Sequence, residues 1–138
     1  DRSSAASDVY KRQALAAAVQ GKVISVDYSP AATAAEQPCL ADCDVELKSA
    51  KVEQVAAQLP KPGAVVLDPP RTGAGKDVIR SVAAAAPQAV VHVGCDPATF
   101  ARDLHYWDEH GYGIEKMALI NAFPGTHHFE TIALITPA

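Results

Sequence analysis

Residues 89–104 constrain the fold more than any other stretch. Ala89-Val90-Val91-His92-Val93 is an apolar run of the kind found in a parallel strand buried on both faces. It stops at Gly94-Cys95, and Asp96-Pro97 then opens a helix, with Asp96 as N-cap and Pro97 in the first helical position. Cys95 is therefore expected on a strand-to-helix turn, at the carboxyl end of a strand. In open α/β sheets ligands bind at that edge, and the positive end of a helix dipole there attracts an anion. Taken alone, the turn also fits a buried, inert cysteine.

The same strand-then-turn pattern recurs upstream. Residues 22–27 read as a strand ending in Asp27, and residues 64–68 as a buried strand ending in Asp68. A short strand is expected at residues 45–47. Helices are expected over residues 14–20 with Gly21 as C-cap, from Ser29-Pro30 toward Leu40, and over residues 50–59, 76–86 and 97–110. Pro60-Lys61-Pro62-Gly63 and Pro87 break the chain. Phe100, Leu104 and Trp107 recur at helical spacing and read as core. Residues 112–120 and 129–135 are two final strands with no helix between them, so they should pair antiparallel. Strands alternating with helices predict an α/β fold with a doubly wound, mainly parallel sheet and a C-terminal antiparallel strand.

That topology gathers chemistry. Asp27, Asp68 and Cys95 each end a parallel strand, and Glu130 begins an antiparallel one, so all four fall on one edge of the sheet. Each has a plainer reading: a helix cap for the aspartates, a solvated edge residue for Glu130. His127 and His128 read as hydrogen-bonding or packing groups rather than metal ligands, because no third ligand accompanies them; no metal is expected.

Composition narrows the setting. The chain has 138 residues, enough for one domain, and a net charge of −4, which gives no general attraction to nucleic acid. No apolar run is long enough to span a bilayer and no signal peptide is visible, so no membrane partner is expected. Three cysteines, Cys39, Cys43 and Cys95, are an odd number without CxxC pairs. They argue against a disulfide framework or a structural zinc site and point to a reducing, cytoplasmic setting. Residues 3–13, Ser-Ser-Ala-Ala-Ser-Asp-Val-Tyr-Lys-Arg-Gln, match one translated frame of a common transposase sequencing adapter. Residues 1–13 are accordingly expected to be an artefact, and residues 14–138 the natural part.

Three motifs occur in order: Asp68-Pro69-Pro70-Arg71-Thr72-Gly73, then Gly94-Cys95-Asp96-Pro97-Ala98-Thr99-Phe100-Ala101-Arg102-Asp103, then Phe123-Pro124-Gly125-Thr126-His127-His128-Phe129-Glu130-Thr131. Together they resemble the catalytic half of the RNA uracil-5-methyltransferases, over nearly all of residues 14–138. The resemblance implies a Rossmann-like class I methyltransferase fold and transfer of a methyl group from S-adenosyl-L-methionine to C5 of a uridine in tRNA or rRNA. It implies Cys95 as the nucleophile and Glu130 as the base, with Asp27 and Asp68 at the cofactor and Pro69, Arg71 and His128 at the substrate. No DNA substrate is expected. Two positions depart from the pattern: Asp96 stands where many members have Asn, adding negative charge beside the thiol, and Asn121 stands where Asp is expected.

No Gly-rich strand–loop–helix precedes Asp27. In this fold that unit is the first strand and cradles the cofactor. The resemblance implies that it lies upstream with an RNA-binding β-barrel domain, so residues 14–138 are expected to be the C-terminal part of a catalytic domain, unable to methylate RNA unaided. Two alternatives remain. One is a Rossmann-like binding or scaffolding module without catalysis. The other is an RNA cytosine-5 enzyme, but those place a cysteine directly after a proline in the Asp68 loop, where this chain has Arg71.

Overall fold

In a computed structural model the described residues are 23–27, 45–49, 51–55, 58, 61–121, 125 and 129–138. They divide into two units, residues 1–55 and 56–138. In the first, β1 (Val23–Asp27) pairs parallel with β2 (Val45–Ser49), Val23 opposite Val45 and Asp27 opposite Ser49. A short helix, α1 (Val52–Val55), follows. The helices expected over residues 14–20 and from Ser29 to Leu40 lie outside the described residues.

The second unit runs β3 (Ala64–Leu67), α2 (Lys76–Ala84), β4 (Ala89–Gly94), α3 (Pro97–Glu109), β5 (Tyr112–Ile120) and β6 (Glu130–Pro137). Its sheet has the order β3-β4-β6-β5. β3 and β4 are parallel, as the intervening helix requires. β6 returns antiparallel between β4 and β5, so the two final strands pair as expected. The last strand by sequence is thus an inner strand, and β5 stands at the border.

Pairing of Val90 with Ile135 and of His92 with Ala133 puts these four residues on one face of the sheet, and all four are buried. Helices α2 and α3 supply Ile79, Val82, Phe100 and Trp107 to the same core. Tyr112 closes it at the far end, its hydroxyl donating to the Pro87 carbonyl at 2.9 Å. Burial pushes the Tyr112 phenol above its ordinary range. Leu104, expected in the core with Phe100 and Trp107, is half-buried.

The helix expected over residues 76–86 ends at Ala84. Ala86 takes φ 53°, a left-handed conformation, and Pro87 follows. Neither continues a right-handed helix.

Candidate active site

The Cys95 turn is built as its sequence predicts. β4 ends at Gly94, Cys95 is exposed, and Asp96 caps α3, its Oδ1 accepting from the amides of Ala98 at 2.9 Å and Thr99 at 3.1 Å. Pro97 occupies the first turn, where its missing N–H costs nothing. Gly94 is required by packing: a Cβ there would collide with the Phe100 ring.

β3 and β6 flank this turn. Leu67 pairs with His92 in the parallel ladder, so Asp68, which follows β3 and is exposed, leaves the sheet at the same edge as Cys95. On the other side Gly94 pairs with Thr131, the last pair of the antiparallel ladder. One residue further along each strand stand Cys95 and Glu130. Adjacent strands lie about 4.8 Å apart. The edge therefore carries, in order, a carboxylate, a thiol and a second carboxylate, each from a different segment. Glu130 is half-buried and also pairs with Ile120 of β5.

Of the residues expected at one edge, Asp68, Cys95 and Glu130 come together within this sheet. Asp27 is the last residue of β1, in the other unit. Pro69 is half-buried and Arg71 exposed, both in the loop after β3. His127 and His128 lie outside the described residues. Asn121 is exposed just past β5. Among the described residues no group of His, Cys, Asp and Glu is arranged to hold a metal ion, and no helix is long and apolar enough to cross a membrane.

Beneath the edge lies a polar cluster that the sequence reading passed over. His92 and Asp103 are fully buried. Trp107 Nε1 donates to His92 Nδ1 at 3.0 Å, which leaves the imidazole proton on Nε2, facing Asp103 Oδ2 at 3.4 Å. The contact is a long one, and Nε2 has no closer hydrogen-bond partner. Burial pushes His92 below the usual imidazole range, against the opposing pull of the Asp103 carboxylate. Asp103 is better satisfied elsewhere, by the amides of Ala74 at 2.6 Å and Gly75 at 3.3 Å and by Arg102 Nη2 at 3.0 Å. Two signals pointed to this cluster: a histidine inside an apolar strand, and an aspartate on the helix stripe shared by Phe100 and Trp107.

The sequence model of the tRNA (uracil-5-)-methyltransferase family matches residues 44–137, more than half of the chain. The chain belongs to this family. It is 54% identical over 116 residues to an uncharacterised RNA methyltransferase of Corynebacterium glutamicum, an alignment covering 84% of this chain and 28% of that protein. Among solved structures it resembles the Pyrococcus abyssi tRNA (uracil-54, C5)-methyltransferase in complex with S-adenosyl-L-homocysteine. The TM-score is 0.72 and the identity 27%, over 83% of this chain and 28% of that one. The fold alone is shared with precorrin-6y C5,15-methyltransferase of Geobacter metallireducens, at a TM-score of 0.65 and 16% identity, covering 86% of this chain and 68% of the other. The chain thus spans 28% of the length of its Corynebacterium relative. Its α/β architecture is that of a class I methyltransferase.

Proposed function

We propose that residues 14–138 are the C-terminal part of the catalytic domain of an RNA methyltransferase that forms 5-methyluridine in tRNA or rRNA. The observation that carries this reading is the β4–β6 register, in which an exposed thiol and a carboxylate follow the final Gly94–Thr131 pair. Membership of the uracil-5-methyltransferase family supports it.

Uracil C5 is a poor nucleophile. Addition of the Cys95 sulfur at C6 forms an S–C6 bond and pushes the ring's electron pair toward C5. After C5 has gained its methyl group, Glu130 takes the C5 proton. The freed pair reforms the C5–C6 double bond and expels the Cys95 sulfur. A base must lie within hydrogen-bond reach of that proton, and neighbouring positions on adjacent strands supply such reach. The target uridine has to be splayed from its stack to enter the site. Pro69 and Pro70 stiffen the loop beside it, Arg71 suits a phosphate oxygen, and the family resemblance assigns His128 to the substrate.

When bound, S-adenosyl-L-methionine supplies the electrophilic methyl group. Asp68, an exposed carboxylate that follows β3 at the edge carrying Cys95, suits it, and the family resemblance assigns it Asp27, the last residue of β1, as well. Such carboxylates hold ribose hydroxyls in nucleotide-binding sheets, the role proposed for Asp27, with Asp68 between cofactor and base. Cytoplasmic RNA is the expected substrate.

The test is a chimaera in which residues 14–138 replace the matching segment of the Corynebacterium glutamicum relative. It is assayed with S-adenosyl-L-methionine and RNA transcripts for 5-methyluridine, beside the 138-residue chain alone. The chimaera should transfer methyl groups and the isolated chain should not. Cys95→Ala should abolish transfer, whereas Glu130→Gln should accumulate a protein–RNA adduct that survives denaturation. Continued transfer by the Cys95→Ala chimaera would defeat this mechanism.

A further inference from the structure

Residues 69–75 connect β3 to α2 and include Gly73 and Gly75, both at positive φ. The loop makes one tight backbone turn of its own, Gly73 N–H to the Pro70 carbonyl at 2.9 Å. Helix α3 holds the rest. Thr99 Oγ1 donates to the Arg71 carbonyl at 2.8 Å, and Arg102 Nη2 to the Thr72 carbonyl at 2.8 Å. The Asp103 carboxylate accepts from the amides of Ala74 and Gly75. Thr99, Arg102 and Asp103 are spaced three and four residues apart and form one stripe of the helix. The fit is close: a Cβ on Gly73 would stand 2.6 Å from both Arg102 Nη2 and Asp103 Oδ2. Asp103 also faces His92 of β4. A single buried carboxylate thus meets the loop after β3, the strand leading to Cys95 and the helix leaving it.

We propose that Asp103 is a positioning residue that fixes the Asp68–Arg71 loop relative to the Cys95 thiol. The proposal rests on the methyltransferase reading for what the loop and the thiol do, and on the contacts above for how they are held. Asp96 caps the helix one residue after Cys95, and Asp103 lies two turns along the same helix. The helix therefore acts as a rigid ruler between thiol and loop. Placement errors of about 1 Å in such an arrangement cost on the order of a hundredfold in rate.

Amide exchange in the 138-residue chain, followed by nitrogen-15 NMR, tests the tether. In the wild type the Ala74 and Gly75 amides should be protected, and the Ala74 proton should resonate far downfield because its acceptor is a close carboxylate. Asp103→Ala should speed exchange at both positions at least about tenfold relative to the β4–β6 ladder amides. Asp103→Asn, which keeps one carbonyl oxygen, should fall between and serves if Asp103→Ala does not fold. In the chimaera Asp103→Asn should lower kcat at least about tenfold with KM for RNA within about twofold. Wild-type Ala74 and Gly75 amides exchanging as in an unstructured peptide would overturn the proposal. So would an Asp103→Asn protein with unchanged loop amides and unchanged kcat. Release of the loop by Asp103→Ala, with no methyl transfer by any chimaera, would sink the methyltransferase reading and leave the tether standing.

Discussion

The Cys95 turn and the loop of residues 69–75 end at the same edge of one sheet, but they are held there by different means. The turn is local. Its glycine, cap and proline lie within four consecutive residues, and Asp96 Oδ1 reaches only to Ala98 and Thr99. The loop is held from a distance: its partners Thr99, Arg102 and Asp103 are 28 to 30 residues further along the chain. A local device survives as long as its own residues do. A remote one depends on α3 being seated on the sheet. Substitutions in the turn should therefore act on the helix start, whereas substitutions in the stripe should release the loop and leave the turn formed.

The largest effect is expected at Asp103. Removing a buried carboxylate leaves the Ala74 and Gly75 amides without an acceptor and Arg102 with the Thr72 carbonyl but without its carboxylate. Each acceptor lost to a buried or part-buried donor costs about 1–3 kcal/mol, read for Asp103→Ala as a lowered urea midpoint; the half-exposed Arg102 adds little. The same cluster makes stability depend on pH. Because burial lowers the folded-state pKa of His92, the unfolded chain binds its proton more readily. The stability from neutral His92 is complete above the unfolded value of about 6.5 and is lost as pH falls below it toward the folded pKa. The charges facing the imidazole are Asp103 and, behind it, Arg102, both on α3; Phe100 and Trp107 are neutral. Urea midpoints should fall between pH 7 and pH 5, and His92→Gln should flatten that slope.

Gly94→Ala comes next and strikes the local side. The added methyl group meets the Phe100 ring, which is itself buried. Overpacking of this kind costs about 1–3 kcal/mol, and thermal unfolding should register it. The Ala74 and Gly75 amides should stay protected, since their acceptor lies a turn further along α3. Loss of their protection would erase the distinction between local and remote support.

The contrast also explains what was legible in the sequence. Strand, cap and proline at residues 89–97 obey short-range rules, so the position of Cys95 could be read directly. The antiparallel return of β6 followed from two strands without a helix between them, and it brought Glu130 to the edge. The role of Asp103 could not be read in this way. Its place on the stripe of Phe100 and Trp107 marks it as inward-facing, but nothing local marks its partners, the amides of a glycine loop 28 residues upstream. His92 looked like one more residue of an apolar strand until Trp107 and Asp103 were seen on either side of it. The helix of residues 76–84 ended early because Ala86 adopts a left-handed conformation, and alanine gives no warning of that. Long-range satisfaction of buried polar groups is a property of the assembled sheet and helix, whereas capping is a property of four consecutive residues.

Asp96→Ala should remove the helix cap at a cost of about 1 kcal/mol, with Asp96→Asn close to wild type because the acceptor survives. Far-ultraviolet circular dichroism and urea titration would report it.

Thr99→Val should have the smallest effect, and it bears directly on the comparison because Thr99 belongs to both sides. Its amide is held by the Asp96 cap, while its hydroxyl donates to the Arg71 carbonyl at 2.8 Å. The substitution keeps the amide and the shape and deletes the hydroxyl. The bond is exposed, so its loss is expected to cost about 0.5 kcal/mol, the lower end for a neutral hydrogen bond. What matters is how this cost combines with others. If the stripe on α3 holds the loop as a unit, Thr99→Val and Asp103→Asn should be non-additive, with a coupling energy of at least about 0.5 kcal/mol. Thr99→Val and Gly94→Ala touch different partners and should add. Additivity in the first pair would mean that each contact holds its own carbonyl or amide separately, and the view of α3 as a ruler between loop and thiol would have to be given up.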